Sequence, residues 1–342
     1  MNTNQLEQTA QALVATGKGI LAADQGASFV GKWLDSMGQP TSEDTLVQYR
    51  AMLFGTPQLS DHISGIILLG DVPEQHTAEG KPLLDLITRQ TIMPGLSPST
   101  GLQPLARAPG EVIPVGLDGL RERLADFRER GFRFTKWRAP LKIGSGLPTG
   151  YAADANAYTL GQFAALSQEA GLVPIVEPEV EILGEHDIAR HFEVTEWFLR
   201  KVFQVLYEQR VLLEGMILKT NMVVSGKDCP EQADVETVAL QTLKCLSRTV
   251  PAAVPGIAFL SGGQSDYAAT AHLNVMNAAG PHPWQLSFSY GRALQRASMT
   301  AWAGRADQVS AGQDALYQTA RLNGLATQGH CSEDDLQGLA TS

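Results

Sequence analysis

The chain has 342 residues, long enough for two ordinary domains or for one large α/β barrel. A composition of 44% hydrophobic and 18% charged residues is that of a globular protein with a sizeable core. With 26 basic against 36 acidic residues the net charge is −10, which excludes a general nucleic-acid-binding or membrane-surface face and leaves any anionic ligand to a local cluster of cations.

The N-terminal stretch MNTNQLEQTAQALVATGKG carries Glu7 and several glutamines where a signal peptide needs an unbroken apolar run. No segment reaches the ~18 apolar residues of a membrane helix, and a cytoplasmic protein is expected. GILAAD (19–24) reads as a first strand ending at Asp24, after which Gln25 and Gly26 turn into a helix bearing Phe29 and Trp33. A helix over 42–54 leads to the strand SGIILLG (64–70) and then to TIMPG (91–95), where Pro94 limits the strand and the residues up to Gly116 read as loop. Helical periodicity over 117–131 precedes the strand FRFTKW (132–137), and a helix over 153–171 precedes VPIVEPE (173–179). The remaining strands are MILKTN (216–221), GIAFLSGG (256–263) and QLSFSYG (285–291), separated by helices over 193–210, 235–250 and 265–277. The tail from about 329 to 342 is polar and is expected to be loose. Cys229, Cys245 and Cys331 have neither disulfide-framework nor metal-site spacing and suit a reducing compartment.

Apolar runs without alternation suit parallel strands buried on both faces. Eight of them, alternating with helices, close most naturally into a (β/α)8 TIM barrel forming one domain over 1–342, with a doubly wound open sheet as the alternative. Barrel enzymes build their sites where strands end. Asp24 ends the first run, Lys136 and Arg138 the fourth, Glu177 and Glu179 the fifth, and Lys219 the sixth. Ser261 and Gly262 follow the seventh, and Gly291 with Arg292 the eighth, where barrels frequently hold a phosphate.

Each residue taken alone has an ordinary explanation. Lys219 can snorkel or pair with a glutamate, Asp24 can cap the next helix, and Glu177 with Glu179 can be a carboxylate pair neutralised by Lys136 and Arg138. Taken together they supply a desolvated lysine that can form a Schiff base beside a second cation. They add two carboxylates that share one side of a strand, one with room for a raised pKa, and an anion cradle. Those parts suit breaking a carbon–carbon bond next to the carbonyl of a ketose phosphate.

The blocks GKGILAADQG, FTKWRAPLKIG, GLVPIVEPEV, LEGMILKTNM, VPGIAFLSGGQSDYAATAHLNVMN and PWQLSFSYGRALQRASMTAWAG resemble, in order, class I fructose-bisphosphate aldolase, from about residue 5 to about residue 328. The resemblance implies a metal-free (β/α)8 barrel that needs no cofactor. It implies reversible cleavage of a sugar phosphate to dihydroxyacetone phosphate and an aldehyde, in glycolysis or related metabolism, by a homo-oligomer (tetramer or dimer) without nucleic-acid or membrane partners. It implies that Lys219 forms the Schiff base, that Glu177, as a neutral acid, helps form and dehydrate the carbinolamine, and that ionised Asp24 acts near the C4 hydroxyl. Lys136, Arg138 and Glu179 would be supporting charges, and Ser261, Gly262, Gly291 and Arg292 the C1-phosphate site.

The sequence also departs from the family. Two serines, a basic residue and a lysine that grip the C6 phosphate in the family correspond here to Gly26, Phe29, Trp33 and Thr100, with Arg138 or Lys32 as possible substitutes. Phe29 and Trp33 share a helix face and either pack on a neighbour or line the pocket. Gln25 stands where the family has glutamate, and the C-terminal tyrosine of animal members has no counterpart, so either another group or water exchanges the proton or that step is slow. Three readings follow: a fructose-bisphosphate aldolase, with the variant that its ketose 1-phosphate lacks the distal phosphate; a non-catalytic binding barrel; and a barrel isomerase or transaldolase-like enzyme.

Overall fold

The structure, a computed structural model, describes residues 3–340. Eight strands close a parallel barrel: β1 (Gly19–Ala22), β2 (Ile63–Leu68), β3 (Met93–Leu96), β6 (Phe134–Leu141), β7 (Val173–Val180), β8 (Ile217–Thr220), β9 (Gly256–Phe259) and β10 (Gln285–Tyr290). All eight runs read as strands are present, in sequence order round the barrel, with β10 pairing to β1. β4 (Gly101–Pro104) and β5 (Val112–Val115) form a separate antiparallel hairpin. This corrects the loop expected there. All four residues of β4 are exposed and Pro104 and Pro114 interrupt the pattern, so the apolar signal that marks a buried strand is missing.

The helices are α1 (Thr3–Leu13), α2 (Ala27–Ser36), α3 (Glu43–Phe54), α4 (Leu83–Thr88), α5 (Leu120–Glu129), α6 (Gly150–Glu169) and α7 (Ile188–Glu208). They continue with α8 (Val235–Thr249), α9 (Asp266–Ala278), α10 (Arg292–Trp302), α11 (Val309–Ala326) and α12 (Glu333–Ala340). Side-chain caps start several of them: Ser42 for α3, Thr149 for α6, Asp187 for α7, Asp234 for α8 and Ser265 for α9 each accept a backbone N–H of the first turn. The polar tail holds a helix over Glu333–Ala340. It forms α12 against α9, with Leu339 buried and the Cys331 amide donating to Asn274 Oδ1 at 2.9 Å. Met1, Asn2 and the last two residues of the tail lie outside the described residues.

The barrel interior holds Ile20, Ala22, Ile67, Phe134, Ile175, Ile217 and Ala258, and α1 closes its lower end with Leu6, Ala10 and Leu13. Side chains alternate along a strand. The parity that turns Phe134, Ile175 and Ile217 inward therefore also turns Lys136, Glu177 and Lys219 inward, one layer nearer the C-terminal mouth. Phe134 is the widest plug, and it fits because Gly95 on β3 leaves the space. A Cβ there would lie 2.2 Å from the Phe134 ring.

Gly95→Ala should accordingly destabilise the protein by about 1–3 kcal/mol, the usual size of an overpacked core. Urea denaturation would show this as a lower midpoint at unchanged slope; an unchanged midpoint would mean that the ring moves aside without strain.

Candidate active site

Four charged side chains meet above the apolar plug, none more than 12% exposed: Asp24 just past β1, Lys136 on β6, Glu177 on β7 and Lys219 on β8. Lys136 Nζ lies 2.6 Å from Asp24 Oδ2 and 3.2 Å from Glu177 Oε2, and Lys219 Nζ lies 3.2 Å from Glu177 Oε1. The contact at Glu177 Oε2 is between charges and is not an aligned hydrogen bond. The result is a linear chain, Asp24–Lys136–Glu177–Lys219, in which two ammonium groups balance two carboxylates.

Burial pushes each carboxyl towards its neutral form, but here the cations win. Burial raises the Asp24 pKa, and Lys136 with Lys219 more than reverses this, so that it falls below the usual 3.8. Glu177 behaves the same way: burial raises it, Lys136 and Lys219 lower it, and the balance is below 4.5. The expectation of a neutral Glu177 with a raised pKa is therefore corrected for the ligand-free state. Sequence showed the carboxylate on a buried strand but not the two lysines within 3.2 Å of it. Lys136 shifts upward, burial opposing and Asp24 with Glu177 prevailing.

Arg138, two residues beyond Lys136, reaches Glu179 and Glu181; its Nε bonds Glu179 and its Nη2 lies 3.0 Å from Glu181 Oε1. Burial lowers the guanidinium pKa, and Glu179 ahead of Glu177 and Glu181 raises it on balance. Across the mouth Gly262 and Gly263 adopt φ of +58° and +102°, a left-handed turn that glycine accepts without strain. Gly291 and Arg292 begin α10, whose first turn has no side-chain cap. Its free N–H groups, the turn and the guanidinium together make an anion cradle. Gly291 is also a close approach: a Cβ would lie 2.2 Å from Gln25 Nε2, which donates to the Ala22 carbonyl at 2.9 Å.

All ten residues singled out from the sequence line one cavity of about 810 Å³. Ser289 lines it too and escaped the sequence reading. Its Oγ is buried without a hydrogen-bond partner, and the alternation of Ser287 and Ser289 in QLSFSYG was the available signal. The far side of the mouth is made by Phe29, Thr100 and Leu102. Phe29 lines the cavity, whereas Trp33 packs on the core and against Phe29, the ring centroids 5.3 Å apart. Gly26 is exposed at the start of α2, and Lys32 is exposed outside the cavity.

The model of the class-I fructose-bisphosphate aldolase family, a glycolytic family, matches residues 5–342. The chain is 50% identical over 330 residues to the probable fructose-bisphosphate aldolase class 1 of Xanthomonas axonopodis pv. citri (strain 306), covering 96% of this chain and 99% of that protein. It is 44% identical over 338 residues to fructose-bisphosphate aldolase 2 of Caenorhabditis elegans, covering 98% and 92%. The solved structure of Plasmodium falciparum fructose-bisphosphate aldolase, in complex with TRAP and a small-molecule inhibitor, superposes with a TM-score of 0.94 at 41% identity, over 96% of this chain and 95% of that one. Among the described residues no helix is long and apolar enough to cross a membrane.

Because both buried carboxyls are held low, their contribution to stability is complete above their usual values of 3.8 and 4.5 and is lost as pH falls through the lower folded values. Denaturation midpoints should be level from pH 6 to 8 and fall below about pH 4.5, with a shallower fall in Asp24→Asn. Equal slopes in the two proteins would remove Asp24 from the account.

Proposed function

The chain belongs to the class-I fructose-bisphosphate aldolase family of lyases, and from that premise we propose which of its residues perform the Schiff-base cleavage. Lys219 is the nucleophile, and the observation that carries this is Glu177 Oε1 at 3.2 Å from its Nζ at the floor of the cavity. Condensing the Lys219 ammonium with a ketone gives a protonated iminium and water, with no net proton gained or lost. Two of the three ammonium protons must travel to the departing oxygen. Glu177 is within reach of the nitrogen, and as a carboxylate it can take each proton and return it to oxygen. The iminium then draws the electron pair of the C3–C4 bond to form an enamine, while Asp24 takes the C4 hydroxyl proton and the aldehyde leaves. Lys136 holds both carboxylates, and Arg138 with Glu179 holds the wall beside them. Ser261, Gly262, Gly291 and Arg292 hold the C1 phosphate.

Beyond the cradle the cavity offers Phe29, Ser97, Ser99, Thr100 and Leu102, and the Arg138 guanidinium is engaged by Glu179 and Glu181. A C6 phosphate would find hydroxyls there but, among the described residues, no uncommitted cation, each absent charge-assisted contact being worth roughly 1.5–3 kcal/mol. The preferred substrate on this reading is a ketose 1-phosphate whose far end carries little or no charge. We further propose a single-domain, metal-free and cofactor-free enzyme acting in the cytoplasm as a homo-oligomer, dimer or tetramer. Three unpaired cysteines support the reducing setting, and exposed Tyr151, Tyr158 and Tyr207 on α6 and α7 support a covered face.

Borohydride with dihydroxyacetone phosphate should leave an adduct on Lys219, absent in Lys219→Met, and Glu177→Gln should lower kcat by about 10²–10⁴-fold. An adduct on another lysine would refute the assignment. In a panel of ketose 1-phosphates, kcat/KM for fructose 1-phosphate should equal or exceed that for fructose 1,6-bisphosphate; a clear preference for the bisphosphate would overturn the reading of the far end.

A further inference from the structure

The cavity and the pocket beside it are lined by five cations, Lys136, Arg138, Lys219, Lys227 and Arg292. The first three are bound to carboxylates. Among the described residues Lys227 and Arg292 have no carboxylate within 4 Å. Both line a side pocket of about 210 Å³ together with Gly262 and Gly263, and the carboxylates on its other wall, Glu179 and Glu181, are already paired with Arg138 of β6.

The backbone fixes where Lys227 stands. The Lys227 amide donates to the Ile182 carbonyl at 2.7 Å, Gly226 to His186 at 2.7 Å and Asp228 to Gly184 at 2.9 Å, so the segment after β8 runs zipped to the segment after β7. Gly226 permits the closeness: a Cβ there would lie 2.3 Å from the Gly184 carbonyl oxygen. A lysine is thus held on a hydrogen-bonded stretch of the β8–α8 loop, in the pocket beside the anion cradle, and its ammonium makes no ion pair among the described residues.

We propose that Lys227 is the second cation of the proximal phosphate site, meeting the phosphate ester from the β8 side while Arg292 and the turn amides meet it from the other. A phosphate monoester carries about −1.5 to −2 charges near neutral pH. Arg292 alone leaves roughly one of these uncompensated, and Lys227 supplies the balance. The inference rests on the ketose 1-phosphate reading above and adds to it a residue that ranks substrates by the phosphate they carry.

The test compares dihydroxyacetone phosphate with dihydroxyacetone in borohydride trapping of Lys219, at graded concentrations, alongside calorimetric titration with inorganic phosphate. Lys227→Gln should lower the ratio of apparent affinities, phosphorylated over unphosphorylated, by about tenfold, the usual scale of one charge-assisted contact at a partly exposed site. It should weaken inorganic phosphate in parallel. Lys227→Arg should restore most of the ratio, and Gly226→Ala, which moves the lysine without removing its charge, should reproduce the loss. A wild-type ratio and wild-type phosphate affinity in Lys227→Gln would overturn the proposal. If the wild-type protein traps neither ketone, the Schiff-base reading fails, and the phosphate titration still decides the role of Lys227.

Discussion

Lys136 is the group on which the site depends. Its ammonium sits between two buried carboxylates, 2.6 Å from Asp24 and 3.2 Å from Glu177, and joins what would otherwise be two separate charges, one just past β1 and one on β7. Taking an ion out of water costs several kcal/mol even after relaxation, and a buried pair recovers this only with close geometry. Here each carboxylate has a cation against it, and Glu177 has two. Each charge acts on its neighbours: against the opposing effect of burial, the lysines hold both acids below their usual values and the acids hold Lys136 above its own. A hydrophobic replacement of the set would stabilise the barrel at least as well, so its presence in the core is explained by chemistry and not by folding.

The strand parity that packs the barrel also delivers this set to the mouth, and this is why so much of the site was legible in the sequence. Phe134, Ile175 and Ile217 form the inner layer, and two residues further on come Lys136, Glu177 and Lys219. Once the apolar runs are recognised as parallel strands, the positions of the charges follow from the period of two. What alternation does not carry is interatomic distance. The ionised state of Glu177 depends on two lysines on neighbouring strands, and no pattern within VPIVEPE reports them. The β4–β5 hairpin was hidden because an exposed two-stranded ribbon has no buried face to mark it. The tail helix was hidden because EDDLQGLA offers one buried leucine, Leu339, and its docking surface on α9 is distant in the chain. Phe29 and Trp33, equivalent by helix period, separate in the fold because the mouth ends between them.

The two ends of the cavity are unlike. One has left-handed glycines, a helix N-terminus and two cations, Arg292 and Lys227, that make no ion pair among the described residues, all of which favour a dianion. The other has an aromatic ring, a leucine and hydroxyls, and its guanidinium is engaged twice over. On the proposed reading a ligand with one phosphate is oriented by its charge, and the carbon chain is laid across Lys219 in one direction only. Orientation of this kind is worth as much as the reactive groups themselves, because the barrier to a misaligned attack is largely one of geometry.

The charge chain also explains how a lysine nucleophile can work in so closed a site. In the ligand-free protein the four groups sum to zero, two positive and two negative. On the proposed route the Lys219 ammonium becomes a protonated iminium, which leaves the sum unchanged. Cleavage then turns the iminium into a neutral enamine at the moment that Asp24 accepts a proton and loses its own charge, and the sum is again zero. The lost pair is the outer one, Lys219 and Asp24, while Lys136 remains against Glu177 throughout. No step asks the barrel to bury an unbalanced ion, so the low-dielectric surroundings that make such an ion expensive instead strengthen the contacts already in place. Lys136 is accordingly suited to remain a permanent cation, with a pKa held above its usual value. A lysine that gave up its proton at that position would break the balance on which both the iminium and the departing aldehyde depend.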